Sequence, residues 1–410
     1  MDLFRFHEKI SNITSTLAED SPVRGAVYCA AADTLLPCLA DTCANRAQFV
    51  FLDAAAAMSR QKKALIRIGT EARDTYSLSL PHTEYPIAEA IRTCHRLLSG
   101  SGTAAVACGL NASAEVRTAL DSIFGKQNFL NEIVWHFKGG AGARSCFAKR
   151  HEIIYLYAKS GACAFSPLAV GELRGNERRN HMKRAVDSDG RAYFFMQTGE
   201  KEYRYYEDEL IPFDDVWDIP AVNIKTSEHT GIDGQRPLEL FERLLSCTTE
   251  KGDLAVQLFS GAGTLAVAAA NTGRHFLAAD DSALSLHTLR RRLLAGRLEQ
   301  LELFKDSLPD NSAIVNLNAV RRTGTLEITV NSYSHRSLAL LPKRASSLDY
   351  LSYVACGHLT ENGCFLTEDY AVPSGKTPFL QDGIRLSPAE NNAVYLVDCL
   401  GNEKLILLDG

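Results

Sequence analysis

The sequence lacks the features that mark several classes of protein. Its eleven cysteines include no C-x-x-C pair and no Cys/His cluster, which argues against a zinc site or a disulfide framework and predicts reduced, mostly buried thiols. No uninterrupted apolar run approaches the length needed to cross a bilayer. The formal net charge of -5, with 23% charged residues, provides no overall positive field for nucleic acid. We therefore expect a soluble, cytoplasmic protein without a metal site, whose contacts with nucleic acid are local.

The 410 residues, 46% of them hydrophobic, suffice for one large α/β core and a smaller domain. Short apolar runs alternate with amphipathic helical patterns at 87–98 and 112–124, which predicts buried parallel strands in a doubly wound, Rossmann-like sheet with helices on both faces. The predicted strands are 25–29, 49–52, 103–108, 153–157, 254–259 and 276–279. Residues 1–24 are predicted to be a helical lead-in. Segments at 324–330, 338–341, 350–354 and 393–398 predict a small β-sandwich at the C-terminal side.

The most informative motif is F-S-G-A-G-T, which follows the apolar run 254–258. Gly261 and Gly263 permit a tight turn and close approach of the backbone to a ligand, and Thr264 begins a helix whose free N–H groups can face polar ligand atoms. Asp280 ends the next apolar run, where an acid can accept hydrogen bonds from a ribose diol. This combination predicts a cofactor cradle.

The surrounding motifs sharpen this prediction. The succession T-G-x-x-x-Q-R-P, a helix, G-D, a strand, F-x-G-x-G-T, a helix and G-R-x-F-x-x-x-D resembles the cofactor half of DNA amino-methyltransferases that use S-adenosylmethionine. The segments 128–135, 150–160 and 216–220 resemble the same family in the expected order. Because the catalytic half comes first, the chain is similar in layout to the modification subunits of type III restriction systems. The resemblance covers roughly residues 25–297.

The resemblance implies transfer of a methyl group to N6 of adenine or N4 of cytosine in DNA. Asp53 would hold the target amine, and Phe259, Gly261, Gly263, Thr264 and Asp280 would bind S-adenosylmethionine, with Gln235 and Pro237 closing over it. It also implies a catalytic half at 25–160, a target-recognition-like insertion at 162–215 and a cofactor half at 216–297, followed by a β-rich domain at 298–410. Double-stranded DNA is the expected partner, together with a restriction subunit or a second copy.

Three positions depart from the family pattern. The family follows its catalytic acid with Pro-Pro and an aromatic residue, whereas Asp53 is followed by four alanines. Gln257-Leu258-Phe259 replaces D-P-F, and Ala30-Ala31 replaces G-D. Two functions therefore stay open: an active DNA methyltransferase, and a catalytically inactive member that acts as a DNA-binding or regulatory partner. A dinucleotide-dependent oxidoreductase is disfavoured because the turn is not G-x-G-x-x-G.

Two regions are candidates for contact with DNA. A glycine-rich loop is flanked by basic residues, and we predict that Lys138, Arg144, Lys149 and Arg150 face DNA. The region 162–215 interleaves arginines with aromatic residues, which suits phosphate contacts and stacking. It also contains enough acidic residues to be a solvated insertion, and both interpretations stay open.

Overall fold

A computed structural model describes residues 2–6, 25–68, 75–82, 84–137, 145–175, 182–296, 301–306, 309–342, 346–361, 363–373 and 383–408. The helices are α1 (Ala32–Thr42), α2 (Ala54–Ala57), α3 (Ile87–Leu97), α4 (Ser113–Phe124), α5 (Leu238–Thr248), α6 (Thr264–Asn271) and α7 (Ala283–Ala295). The first strands are β1 (Asp2–Phe6), β2 (Gly25–Cys29), β3 (Ala47–Asp53), β4 (Gln61–Arg67), β5 (Thr75–Pro81), β6 (Leu98–Cys108), β7 (Phe129–His136) and β8 (His151–Ala158). The next are β9 (Gly171–Leu173), β10 (Lys183–Val186), β11 (Ala192–Thr198), β12 (Lys201–Tyr206), β13 (Leu210–Pro212), β14 (Val216–Asp218), β15 (Leu254–Leu258) and β16 (His275–Asp280). The last are β17 (Leu301–Lys305), β18 (Ile314–Arg322), β19 (Thr325–Ser334), β20 (Leu351–Leu359), β21 (Cys364–Ala371), β22 (Ile384–Leu386), β23 (Asn392–Asp398) and β24 (Glu403–Leu407).

One large sheet organises the chain. Its strand order is β14-β7-β8-β6-β3-β15-β16-β2-β17-β1-β21-β20-β23-β24. The strands from β6 to β1 in this order pair in parallel. Within β3, Phe49 and Phe51 belong to the core that includes α5, α6 and α7, whereas Val50 and Leu52 belong to the core that includes α1, α3 and α4. Because successive side chains of a strand face opposite sides, helices cover both faces of the sheet. The predicted doubly wound α/β fold is confirmed.

The predicted parallel direction of the strand at 153–157 is wrong. Strand β8 runs antiparallel to both β6 and β7. It is the next strand along the chain after β7 and pairs with it, and strands that follow one another and pair directly are commonly antiparallel. An apolar run reveals that a strand is buried, but it does not reveal the strand's direction.

The two ends of the chain also differ from prediction. Residues Asp2–Phe6 form a strand rather than a helix, and this strand pairs with β17 on one side and β21 on the other; residues 1 and 7–24 of the predicted lead-in lie outside the described residues. Strands β20, β21, β23 and β24 continue the central sheet beyond β1, and the separate sheet β18-β19-β22 shares a buried core with β20 and β23. The two β layers of the predicted sandwich are therefore present, but one of them is part of the central sheet. The segment predicted as a strand at 338–341 lies mostly in a 3-10 helix, Arg336–Leu340. The strand pairings at both ends depend on hydrogen bonds to strands that are distant in the sequence, and a local sequence pattern does not reveal such partners.

Buried polar contacts join the C-terminal strands to α7 and β17. Glu403 Oε1 lies 2.7 Å from His287 Nε2, and Glu403 Oε2 lies 2.6 Å from Lys305 Nζ. The fully buried guanidinium of Arg290 lies 3.8 Å from the centre of the Tyr353 ring. None of the helices in the described ranges is both long and apolar enough to span a membrane.

Candidate cofactor and catalytic site

The turn after β15 has the backbone geometry expected of a cradle. Phe259, Gly261 and Gly263 have φ angles of 55°, 51° and 67°, in the left-handed region that favours glycine. A Cβ atom on Gly263 would lie 2.5 Å from Leu289 Cδ1, so a larger residue does not fit there. Helix α6 begins at the next residue, Thr264. The turn thus directs backbone N–H groups and the helix start toward the carboxyl end of the sheet.

Asp280 lies at the carboxyl end of β16, beside this turn, and is almost fully buried. Its Oδ2 accepts a hydrogen bond from the backbone N–H of Gly261 at 2.8 Å, and its Oδ1 accepts one from the N–H of Ser282 at 3.0 Å. The structure therefore brings together the predicted glycine turn and the predicted ribose-binding acid.

Lys62, from the β4–β5 hairpin, forms an ion pair with Asp280. Lys62 Nζ lies 2.7 Å from Asp280 Oδ1 and 2.7 Å from Asp281 Oδ1, and His82 Nδ1 lies 2.5 Å from Asp281 Oδ2. Burial opposes the charge on Lys62, but the two carboxylates outweigh it and raise the pKa of the ammonium group. Burial likewise opposes ionisation of Asp281, yet His82 and Lys62 lower its pKa to about 2. Sequence reasoning missed Lys62, since it lies 218 residues from Asp280.

Asp53, the predicted catalytic acid, ends β3 and is held by two groups. Its Oδ1 caps α2 by accepting from the N–H of Ala56 at 3.0 Å, and its Oδ2 lies 2.5 Å from Arg236 Nη1. Arg236 Nη2 is 2.8 Å from Glu152 Oε2, so the guanidinium bridges two acids. Burial opposes the charge on Arg236, but Asp53 and Glu152 more than compensate and raise its pKa above the usual range. The sequence motif contained this arginine, but its partners were not predicted.

Two cavities flank these ion pairs. One of about 180 Å³ is lined by residues that include Asp53, Gln257, Gly261 and Thr264. Gln257 Oε1 is buried in this lining and has no hydrogen-bond partner within the described part of the chain, so it is available to a ligand donor. The second cavity, of about 840 Å³, lies beside Ala30 and Ala31. Lys62 lines the first cavity and Asp281 lines the second, so their ion pair lies between the two.

The remaining predicted cofactor residues support the shape of the site. Gln235 Oε1 accepts from Thr230 N and Oγ1 at 2.9 and 2.7 Å, which braces the loop before α5, while Pro237 is the N-cap of that helix. Thr264 Oγ1 accepts from Arg292 Nη1 at 2.9 Å. Burial lowers the pKa of Arg292 to about 10.

Of the residues predicted to face DNA, Lys149 and Arg150 line neither cavity. Lys138 and Arg144 lie outside the described residues. Lys149 and Arg150 are exposed just before β8. In the region 162–215, arginines pair with nearby acids, namely Arg174 with Glu209, Arg184 with Glu207, Arg191 with Asp208 and Arg204 with Glu202. This pairing favours a solvated insertion, and the contact with DNA stays a prediction.

Comparisons with known proteins agree with the motifs. The family model described as DNA methylase matches residues 72–285. The chain is 30% identical to the type II methyltransferase M.BglII of Bacillus subtilis over 202 residues, which are 47% of this chain and 51% of that protein. It is 28% identical to the type II methyltransferase M1.MboII of Moraxella bovis over 161 residues, 38% of this chain and 58% of that protein. The chain thus spans about half the length of these curated relatives. It is also similar to the solved PvuII DNA methyltransferase (cytosine-N4-specific), at 12% identity and a TM-score of 0.44, covering 70% of this chain and 97% of that one.

Proposed function

Because the chain belongs to the DNA methylase family, whose methyl donor is S-adenosylmethionine, we propose that it binds this cofactor at the β15–α6 turn but transfers the methyl group to DNA amines poorly or not at all. One observation carries the proposal: the Asp53 carboxylate forms an ion pair with Arg236 and accepts a hydrogen bond from the N–H of Ala56. The protein would then act through binding, as a DNA-binding or regulatory partner of an active methyltransferase.

The cradle supports cofactor binding. Gly261 lines the cavity and leaves room for a ligand close to the backbone, while Gly263 lets α6 pack closely against Leu289. Asp280 stands at the neighbouring strand end, and Gln257 Oε1 offers an unused acceptor in the same cavity. When bound, S-adenosylmethionine would supply an electrophilic methyl group. Residues of this chain would orient it through the turn and the start of α6.

The catalytic half supports impaired transfer. An exocyclic amine of a base is a weak nucleophile because its lone pair is delocalised into the ring, so it needs a positioned acceptor and a stacking surface. Removing one positioned hydrogen-bonding group from an active site typically costs about 10²–10³-fold in kcat. Loss of base stacking costs about 1–3 kcal/mol per base. Here Arg236 and the N–H of Ala56 hold the acid in an ion pair and a helix cap, and Ala54–Ala57 form a short helix without an aromatic side chain. Together these changes predict a rate at least about 10³-fold below that of an active relative.

Cofactor binding is tested by calorimetry of the purified chain with S-adenosylmethionine. The variant Gly261→Trp should not bind, because the added ring enters the cradle from a backbone with φ of 51°. Gly100→Trp is the matched control, since a Cβ atom added to that exposed glycine would meet no other atom within 4 Å, and the substitution should leave binding intact. Absence of binding by the unmodified chain would refute the cofactor part of the proposal.

Methyl transfer is tested with labelled cofactor on double-stranded DNA of mixed sequence, with an active relative assayed in parallel. We expect transfer by the chain to be absent or at least about 10³-fold slower. Transfer at the rate of the relative, abolished by Asp53→Ala with cofactor binding retained, would establish the alternative of an active enzyme. In that case a position of the Asp53 carboxylate that Arg236 and Ala56 leave open would have to accept from the target amine.

A further inference from the structure

The β4–β5 hairpin places Lys62 on the acid that a cofactor would use. We propose that Lys62 is a latch: its ion pairs with Asp280 and Asp281 hold the hairpin closed over the cradle, and Lys62 must leave Asp280 before S-adenosylmethionine can bind there. The second half of this inference rests on the proposed binding of the cofactor. The first half concerns the chain alone.

The alternation of β4 aims Lys62 inward. Ala64 and Ile66 lie on the same face of the strand and are buried in a core with Ile232 and Ala262. Lys63 lies on the opposite face and is exposed. Because side chains two residues apart share a face, packing of Ala64 and Ile66 fixes the direction of the Lys62 side chain.

The hairpin is also joined to the loop that covers the glycine turn. Leu65 N donates to Gly231 O at 2.6 Å, and Asp233 N donates to Lys63 O at 3.0 Å. Ile232 Cγ2, from the same loop, lies 3.6 Å from the point where Gly261 would carry a Cβ. The hairpin and this loop therefore form one cover over the cradle, and Lys62 connects this cover to Asp280 at the end of β16, beside the pair of His82 with Asp281.

A count of hydrogen bonds shows why Lys62 would compete with a ligand. Asp280 accepts from three donors: Gly261 N, Ser282 N and Lys62 Nζ. A carboxylate accepts about four hydrogen bonds, so one position is left, whereas a ribose diol brings two donors. The two backbone donors belong to the fold, which makes Lys62 the group that must move. If the site binds only when the latch is open, the apparent dissociation constant equals the intrinsic one divided by the fraction of open molecules, so a closed latch weakens binding.

The experiment compares the unmodified chain with Lys62→Met, which keeps the length of the side chain and removes its charge. Lys201→Met is the control, because Lys201 is an exposed lysine of β12 that lines neither cavity. Hydrogen exchange of the β4 amides is measured without ligand, and affinity for S-adenosylmethionine is measured by calorimetry. We expect Lys62→Met to exchange faster in β4 and to bind about tenfold or more tightly, with Lys201→Met unchanged in both.

Each of the following outcomes would refute one part of the latch proposal. Unchanged exchange in Lys62→Met would refute the latch, whatever the affinity. Faster exchange with equal affinity would refute competition between Lys62 and the cofactor, while the proposed cofactor binding stands. Absence of S-adenosylmethionine binding by all three proteins would refute both the competition between Lys62 and the cofactor and the proposed function. Calorimetry thus distinguishes failure of the proposed function from failure of the latch, which hydrogen exchange reports.

Discussion

Arg236 is expected to be among the most costly residues to replace in this fold. Its guanidinium is almost fully buried and makes contacts of 2.5 Å to Asp53 and of 2.8 and 3.1 Å to Glu152. Replacement by methionine would leave two carboxylates facing each other without a cation. Removal of one partner from a buried ion pair typically costs about 3–5 kcal/mol, because the remaining charge is left uncompensated. We expect Arg236→Met to lower the free energy of unfolding by that amount.

A double-mutant cycle separates this ion pair from the loss of packing. Unfolding by urea is measured for the unmodified chain, for Arg236→Met, for Asp53→Asn and for the double variant. Because Asn at position 53 removes the charge that Arg236 neutralises, the double variant should be less destabilised than the sum of the single ones. We expect a coupling energy of about 1–3 kcal/mol.

Arg92→Met is the matched control, because Arg92 pairs with Glu89 on the surface of α3 and surface pairs contribute about 0–1 kcal/mol. If Arg236→Met cost less than about 1 kcal/mol, or if the two substitutions were additive, Asp53 would not be held by a strong ion pair. The explanation given for impaired transfer would then fail.

Three further predictions concern the cradle, the C-terminal strands and the catalytic acid. Gly263→Ala should lower the free energy of unfolding by at least about 2 kcal/mol, because φ is 67° and the added Cβ meets Leu289. Gly100→Ala is the control and should cost much less, because a Cβ atom at that position lies in open space. Equal losses of stability in urea unfolding would contradict the prediction. Burial opposes ionisation of Glu403, but His287 and Lys305 lower its pKa to about 2. The ionised carboxylate therefore stabilises the fold above the usual carboxyl range, and this stabilisation is lost as pH falls from about 4.5 toward 2. Glu403→Gln should remove this component from the pH dependence of the free energy of unfolding, and an unchanged profile would show that Glu403 is not its source. Asp53→Asn should leave the calorimetric affinity for S-adenosylmethionine within about threefold. Asp53 lines the cavity beside the glycine turn, but its hydrogen bonds go to Arg236 and to the N–H of Ala56, and asparagine keeps the shape of the side chain. A loss of binding would show that the cofactor contacts this carboxylate.

Much of the fold could be predicted because its determinants are local. The runs at 49–52 and 254–259 are apolar at nearly every position, which is typical of strands buried on both faces, and both are strands of the central sheet. The F-S-G-A-G-T turn was recognisable because glycine tolerates left-handed backbone angles that other residues avoid. The pairing of Asp280 with this turn followed from the rule that carboxyl ends of parallel strands meet at one edge.

The direction and extent of the sheet could not be predicted in the same way. Strand β8 carries an apolar run like those of the parallel strands of the sheet, and only its pairing with β6 and β7 shows that it runs antiparallel. Residues Asp2–Phe6 carry no strong strand pattern, yet the free edges of β17 and β21 bind them on both sides. Arg290 stands in a basic run typical of an exposed helix face, but the C-terminal strands bury it against Tyr353.

By itself, the sequence determined the alternation of strands and helices, the glycine turn and the loss of the residues that follow Asp53. The tertiary structure alone decided the state of the two acids, because the residues that neutralise them are remote: Arg236 lies 183 residues from Asp53, and Lys62 lies 218 residues from Asp280. Backbone conformation depends on neighbours in the chain, so motifs record it. The charge and availability of a carboxylate depend on what packing brings within about 3 Å, and no local pattern contains that information.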